Sequence, residues 1–403
     1  MDWLIILVFG VVYLGMILGR IPGLALDRTG VALLGALCLL GFGRVTTADL
    51  PAAVDMSTIA LLFALMVVSS QFRLAGAYSF LVRRAGELAV SPAALLAVVI
   101  GVTALLSAVL VNDIVCLAAT PVVIEACAHR RLNPVPYLLG LAAAANIGSA
   151  ATLIGNPQNI LIGEVLRLSF SGYLLESLIP VVFGLVLLWL ILAWQYRGRL
   201  GAETVAPPVA APLFSRWQTA KGTLVLAALL VIFLAGSWPR DLAALGAAGV
   251  LLLSRRMQSR EMLGLIDWPL LVLFLALFVV NYAVNSGGYM AGVMVGLDAA
   301  GIPLDHPGWL FAASVVLSNL VSNVPATMLL LPSATHPLGG AVLALSSTLA
   351  GNLLVVGSIA NIIVLDQAER LGVRISWRRH ARTGVPVTAA TLLAAGVWLW
   401  LRA

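Results

Sequence analysis

The sequence predicts an all-α polytopic membrane protein, built as an inverted-topology repeat with two re-entrant hairpins and two broken transmembrane helices. Three observations carry this. The 403 residues are 61% hydrophobic and 10% charged, with a mean hydropathy of +1.06. A soluble domain carries roughly 25% charged residues, so this chain cannot cover a water-facing surface. Apolar segments of crossing length recur along it. Finally, residues 107–121 (SAVLVNDIVCLAATP) and 318–332 (SNLVSNVPATMLLLP) look like one device built twice. Ser107 matches Ser318, Asn112 matches Asn323 and Pro121 matches Pro332 at one common offset. Such paired polar interruptions in two halves of a membrane protein are the best sequence pointer to a transporter's binding site.

Taken in order, segments 3–19, 24–43, 56–72, 173–196, 217–236, 240–255, 267–286 and 383–401 read as simple spans. Four longer regions are punctuated. Residues 92–128 and 307–332 read as hairpins that enter the membrane and turn back. Residues 135–168 and 338–370 read as spans broken in the middle. Segments 74–88 and 288–299 are shorter and read as interfacial helices. Ala64–Val68 matches Ala276–Val280, and Gly76 matches Gly288. The repeats are therefore 1–196 and 217–403, joined by a cytoplasmic linker at 197–216 that holds Arg197, Arg199, Glu203 and Pro207–Pro208. Met1-Asp2-Trp3 opens a first span, with no basic region or cleavage site of a removable signal.

Positive charge tests the topology, because lysine and arginine accumulate on the cytoplasmic side. With both termini outside, nineteen basic residues fall inside, among them Arg20, Arg73, Arg130, Arg197, Arg255 and Arg378. Four remain outside: Arg44, Arg167, Arg240 and Arg402. The net charge of +6 is thus a topology signal, and no nucleic-acid partner is expected. The expected setting is the cell membrane, multi-pass, with the bilayer and a small-molecule or ion substrate as partners. Cys38, Cys116 and Cys127 lie in apolar sequence and form no Cys-x-x-Cys pair.

The broken spans explain what such a fold does. Gly148, Gly155 and Pro157 interrupt the first. Gly155 and Asn159 match Gly357 and Asn361 in the second at one offset. Unwound backbone at membrane depth must be buried in protein or line a watery cavity. Its carbonyls can coordinate a cation. Resumed helices near Asn156 and Ser358, and hairpin ends near Ile114 and Pro325, offer free N–H groups to an anion or oxyanion without a buried arginine.

Asn112-Asp113, Thr120-Pro121, Asn146-Ile147-Gly148 and Gly155-Asn156-Pro157-Gln158-Asn159 resemble the ion transporter superfamily. They are most similar to the arsenite efflux permeases and related anion permeases, and more distantly to sodium–dicarboxylate symporters and sodium/proton antiporters. The resemblance covers essentially the whole chain. It implies a scaffold part, a transport part that moves as an elevator, and a homodimer. In the dicarboxylate symporters a Ser-Asn-Thr motif at each hairpin tip holds substrate and sodium. By position this carries over to Val111-Asn112-Asp113 and Ser322-Asn323-Val324. Asp113 and Val324 replace the threonine, which argues against a dicarboxylate.

Substrate contacts are accordingly expected from Asn112, Asp113, Thr152, Asn156, Ser322, Asn323, Thr327 and Ser358. Coupling-ion contacts are expected from Asp113, Asn112, Asn146, Gly148, Asn323 and Asn352. An ionised, unpaired Asp113 near the midplane costs on the order of 3 kcal/mol, and binding a proton or sodium removes that cost. An aspartate is also a good helix cap. Glu125 reads as an interfacial ion-pair partner beside His129-Arg130-Arg131, and Glu164 and Asp366 as boundary residues. His129, His306, His336 and His380 read as solvated loop residues, so no metal site is expected. No cofactor is expected beyond sodium as one candidate coupling ion.

The function these features predict is secondary active transport of a small anion or its neutral acid, with an arsenite-type oxyanion first. Proton or sodium would couple it. The alternatives within the superfamily are a sodium-coupled di- or tricarboxylate symporter and a sodium/proton antiporter. An ion channel is the alternative from another class, although paired hairpins with broken helices suit alternating access better. No Gly-x-x-x-x-Gly-Lys-Ser/Thr motif is present, so an ATPase could take part only as a separate subunit. An intramembrane enzyme would need a converging catalytic constellation that the sequence does not offer.

Overall fold

A computed structural model describes residues 2–19, 23–201, 213–236 and 238–402. Met1, Arg20 and linker residues 202–212, with Glu203, Pro207 and Pro208, lie outside the described residues. The described chain folds into twenty α-helices and no β-strand. The first half runs α1 (Trp3–Leu18), α2 (Arg28–Gly41), α3 (Leu50–Ala53), α4 (Met56–Leu74), α5 (Ala77–Gly86), α6 (Pro92–Val109), α7 (Asn112–His129), α8 (Pro134–Ser149), α9 (Pro157–Val165) and α10 (Phe170–Gln195). The second runs α11 (Arg216–Ala235), α12 (Arg240–Leu252), α13 (Ser259–Leu263), α14 (Trp268–Ser286), α15 (Tyr289–Ala299), α16 (Pro307–Val321), α17 (Asn323–Leu330), α18 (Gly339–Ala350), α19 (Ile359–Arg370) and α20 (Trp377–Arg402). Seven of these are long and apolar enough to cross a membrane.

The two halves repeat element for element, and their packing exchanges accordingly. Helix α4 lies on α12 as α14 lies on α2. Helix α6 lies on α8 as α16 lies on α18, and α7 on α19 as α17 on α9. Asp55 and Asp267 cap α4 and α14, accepting from Thr58 N at 2.7 Å and Leu270 N at 3.0 Å. Each capped helix ends at a glycine in the left-handed region, Gly76 (φ 69°) and Gly288 (φ 73°). Only there can the chain turn sharply into α5 and α15 without a Cβ penalty.

The sequence places hairpins at 92–128 and 307–332 and broken spans at 135–168 and 338–370. Helices α6 and α7 turn at Leu110–Val111, and α16 and α17 turn at Ser322. The halves differ at the matched prolines. Pro121 lies inside α7, whereas Pro332 sits in a tight turn at Leu331–Ser333 that ends α17 early. Proline removes a donor and crowds the preceding turn, so the shorter helix yields there. Helices α8 and α18 are buried on every side and form the centre of the fold. Cys116 and Cys127 are buried, Cys38 is half-buried, and all three are free thiols.

Candidate functional site

Two breaks face each other at the centre. Residues 150–156 separate α8 from α9, and residues 351–358 separate α18 from α19. Such a break leaves carbonyls without helical partners. Asn159 donates its amide to the carbonyls of Thr152 (3.0 Å) and Ser149 (3.3 Å). Asn361 donates to Leu354 (3.2 Å) and Gly351 (2.8 Å). These are the same two bonds at the same spacing in each repeat, so the matched asparagines hold the unwound segments open.

The breaks are also stitched to each other, reciprocally. Asn156, the N-cap of α9, donates to Thr348 Oγ1 of α18 at 3.3 Å. Ser358, the N-cap of α19, donates to Asn146 Oδ1 of α8 at 2.7 Å. Asn146 Nδ2 reaches Asn361 Oδ1 at 3.3 Å and Asn352 Oδ1 at 2.9 Å. Thr348 Oγ1 reaches Asn159 Oδ1 at 3.4 Å. Exchange of the two repeats carries Asn156→Thr348 into Ser358→Asn146, and Asn146→Asn361 into Thr348→Asn159. Thr348 was not expected at the site. It matches Asn146 at the offset that pairs Gly155 with Gly357, and that was the available signal.

Each hairpin tip is tied to the break of its own repeat. Asn112 N donates to Gly155 O at 3.2 Å. With its amide turned to suit its neighbours, Asn323 donates to Gly357 O (3.2 Å) and Ser347 O (3.1 Å), and it accepts from Gln158 Nε2 (3.3 Å). The tips differ in strain. Ser322 has φ 78° and ψ 161°, a region almost confined to glycine that costs on the order of 1–3 kcal/mol and concentrates at functional sites.

Between tips and breaks lies a cavity of about 30 Å³, room for about one water-sized species. Asn112 and Asp113 line it from the first tip, and Ser322, Asn323 and Val324 from the second. Asn146, Asn156, Gln158 and Ser358 line it from the broken spans, and Leu270 closes it from α14. None of the lining residues is Lys, Arg or His. Asp113, half-buried in the first turn of α7, makes no hydrogen bond or ion pair among the described residues. Asn112 Oδ1, Asn352 Nδ2 and the buried hydroxyls of the matched Ser107 and Ser318 also have no partner among the described residues. Buried polar atoms without partners are rare in folded proteins and mark ligand or water positions.

Several expectations change. Thr152 and Thr327 do not line the cavity; the Thr152 hydroxyl is taken up by the carbonyl of Ala108. Asn352 stands behind the cavity, bonded to Asn146. Gly148 lies inside α8, where a Cβ would come 2.4 Å from Ala104 Cα, so its role is close helix packing. Glu125 pairs with Arg83 at 3.0 Å, with His129 farther at 3.9 Å. Glu164 and Arg240 form an ion pair at 2.9 Å with side chains 12% and 14% exposed, a buried link between α9 and α12. His380 is not a loop residue: it lies buried in α20, against the Asn352 backbone. His306 and His336 lie in loops; His306 caps α16, accepting from Gly308 N (3.2 Å), and His336 accepts from Leu338 N (3.1 Å) ahead of α18.

Gly155 gives a direct test of the tip-to-break contact. A Cβ there would lie 2.4 Å from Ser149 O and 2.7 Å from Ser107 O, both backbone. Gly155→Ala is expected to cost roughly 1–3 kcal/mol and to lower the yield of monodisperse protein in detergent. Gly10→Ala, which meets open space, should leave it unchanged. Equal yields would refute the contact.

Two hairpins and two broken spans converging on a small polar cavity define a membrane carrier of the inverted-repeat type. The chain belongs to the citrate transporter family: residues 5–350 match the family model described as "Citrate transporter". It is 32% identical to the inner membrane protein YbiR of Escherichia coli (strain K12), over 82% of this chain and 84% of that protein. It is 29% identical to the silicon efflux transporter LSI3 of Oryza sativa subsp. japonica, over 94% of each. It is 29% identical to an uncharacterized transporter of Mycobacterium tuberculosis, over 93% of this chain and 94% of that one. The fold is that of the YdaH transporter of Alcanivorax borkumensis, with a TM-score of 0.59, 16% identity and coverage of 99% of this chain and 97% of that one. The protein is a multi-pass membrane transporter of the anion permease class.

Proposed function

We propose that this protein is a secondary active transporter of the cytoplasmic membrane that carries a small oxyacid in its neutral form, arsenite-type first. The observation that carries this reading is the cavity lining: amides, hydroxyls and one carboxylate, with no cation. A free tricarboxylate would meet Asp113 and no counter-charge. A neutral M(OH)₃ or M(OH)₄ acid presents hydroxyl donors and acceptors that asparagine and serine match. The names of the rice silicon efflux transporter and of a putative transporter, arsB, of Dictyostelium discoideum, 22% identical over 92% of this chain, agree with such chemistry. The family's citrate description favours a second reading, a carboxylate that enters together with its cation. Asp113 couples the cycle by taking up a proton or sodium.

The alternating step is an elevator. One packed group contains α1, α2, α4, α11, α12 and α14; the other holds the hairpins, the broken spans, α10 and α20. They meet through polar links such as Val111 N on Ser69 Oγ at 3.1 Å and the Glu164–Arg240 pair, and through the Phe170–Phe233 ring contact. The arms α5 and α15 support two states. Helix α5 packs against both helices of the first hairpin, whereas its counterpart α15 buries no residue and leaves a cavity of about 500 Å³ beside Pro332 and Ser333. Exchanging the repeats would close α15 and release α5, which is the other end of the cycle.

Flux into proteoliposomes tests the substrate. Saturable arsenite or silicic acid flux driven by an imposed pH or sodium gradient is expected, with citrate alone not carried. Citrate flux that needs a divalent cation would establish the second reading instead. Orientation is tested separately with a membrane-impermeant maleimide. Asp305→Cys should label on intact cells, and Ser259→Cys only after the membrane is opened. The reverse pattern would refute an outside N-terminus.

A further inference from the structure

A second concavity lies away from the cavity, where α10 ends and α20 begins. It has a volume of about 330 Å³ and is lined by Arg199, Arg378, Arg379 and Arg382, with Tyr196 and Asn133 beside them. None of the four guanidinium groups is ion-paired among the described residues. The carboxylates nearest in sequence to the three α20 arginines, Asp366 and Glu369, pair with Arg370 and Arg374 instead. Four like charges around one hollow repel each other, yet the fold holds them there. Gln195 pins the two helices together, donating to Arg382 O at 2.8 Å and accepting from Thr383 Oγ1 at 2.7 Å. Ser376 caps α20, accepting from Arg379 N at 3.3 Å.

The position in the bilayer is marked by tryptophans. Trp194 and Trp377, next to the pocket in sequence, are 76% and 63% exposed. Tryptophan concentrates at the membrane–water interface, which sets this pocket at headgroup depth. Arginines that served only to orient the chain need no common hollow. Arg255, Arg256 and Arg260 satisfy that rule from an exposed loop and a short helix.

We propose that this pocket binds the phosphate of an anionic phospholipid headgroup. Guanidinium groups grip phosphate oxygens in a bidentate fork. The N-terminus of α20 adds a partial positive charge. Basic pockets between spans at this depth suit anionic headgroups. The bound headgroup offsets part of the repulsion among the four arginines and joins α10 to α20.

Native mass spectrometry of the full chain in detergent reads the binding, with phosphatidylglycerol, phosphatidylcholine or inorganic phosphate added. Phosphatidylglycerol should be retained in preference to phosphatidylcholine. The variant R378Q/R379Q/R382Q should bind it more weakly by on the order of 100-fold, while R255Q/R256Q/R260Q should match the unaltered protein. Unchanged retention in the pocket variant, or an equal loss in the other triple variant, overturns the proposal. Inorganic phosphate that displaces phosphatidylglycerol at equal concentration overturns the lipid assignment in favour of a free phosphate. If the pocket variant does not fold, Arg199→Gln alone is read the same way. A severalfold weaker retention is expected, and no change overturns the site.

Discussion

Asn146→Ala is expected to destabilise the protein by roughly 3 kcal/mol or more and to abolish flux. The side chain is buried and makes three bonds, to Asn352, Asn361 and Ser358. Its removal leaves the Ser358 hydroxyl and the Asn352 carbonyl oxygen buried without those partners, at about 1–3 kcal/mol each. A thermal melt in detergent measures the loss. The reciprocal geometry makes the prediction sharper. Ser358→Ala alone should cost less, and the double variant should cost clearly less than the sum, because both act on one bond. Strict additivity would mean that Asn146 and Ser358 do not act together. Flux equal to that of the unaltered protein would show that the stitched breaks are scaffolding remote from the cycle.

Asp113→Asn should leave the fold intact and remove gradient-driven accumulation. The carboxylate has no ion pair and no hydrogen bond among the described residues, so an amide of equal size breaks no contact. It does remove the only formal charge lining the cavity. A proton can no longer be exchanged there, and a sodium ion loses its counter-charge. Accumulation under an imposed pH or sodium gradient should fall to the level of empty liposomes, while the melting temperature stays within a few degrees or rises, since an uncompensated buried charge is costly. Counterflow of unlabelled against labelled substrate, which needs no coupling, separates the roles. If accumulation keeps its ion dependence, coupling lies elsewhere. The buried His380, beside the Asn352 backbone, is then the next group to replace.

Much of the architecture was legible because membrane insertion is a one-dimensional constraint. Apolar length, helix-breaking residues and arginine bias are all local properties. They are what the positions of the hairpins and breaks were read from. The repeat was legible because matched residues solve matched problems: Asn159 and Asn361 staple equivalent carbonyls, and Gly76 and Gly288 turn equivalent corners. The site was legible only in part. Asn112, Asp113, Asn156, Ser322, Asn323 and Ser358, read from the sequence as substrate contacts, line the cavity. Thr152 and Gly148 were read as site residues from polarity and flexibility, which do not tell which neighbour will use them. A backbone carbonyl claims the Thr152 hydroxyl, and the packing of α6 fills the space beside Gly148.

The sequence alone therefore determined the class, the repeat and the points where helices break. These follow from the cost of placing unpaired backbone or charge in lipid, which every residue carries with it wherever the chain goes. Only the tertiary structure decided the pairings across the repeat. Asn146 meets Ser358, Asn156 meets Thr348 and Glu164 meets Arg240 because the two halves pack against each other. No local property of either partner encodes that distance. The same holds for the arginine hollow, whose members are scattered over α10, the loop after it and α20. Their meeting depends on how two long helices cross, and crossing is settled by the shapes of the faces that pack between them.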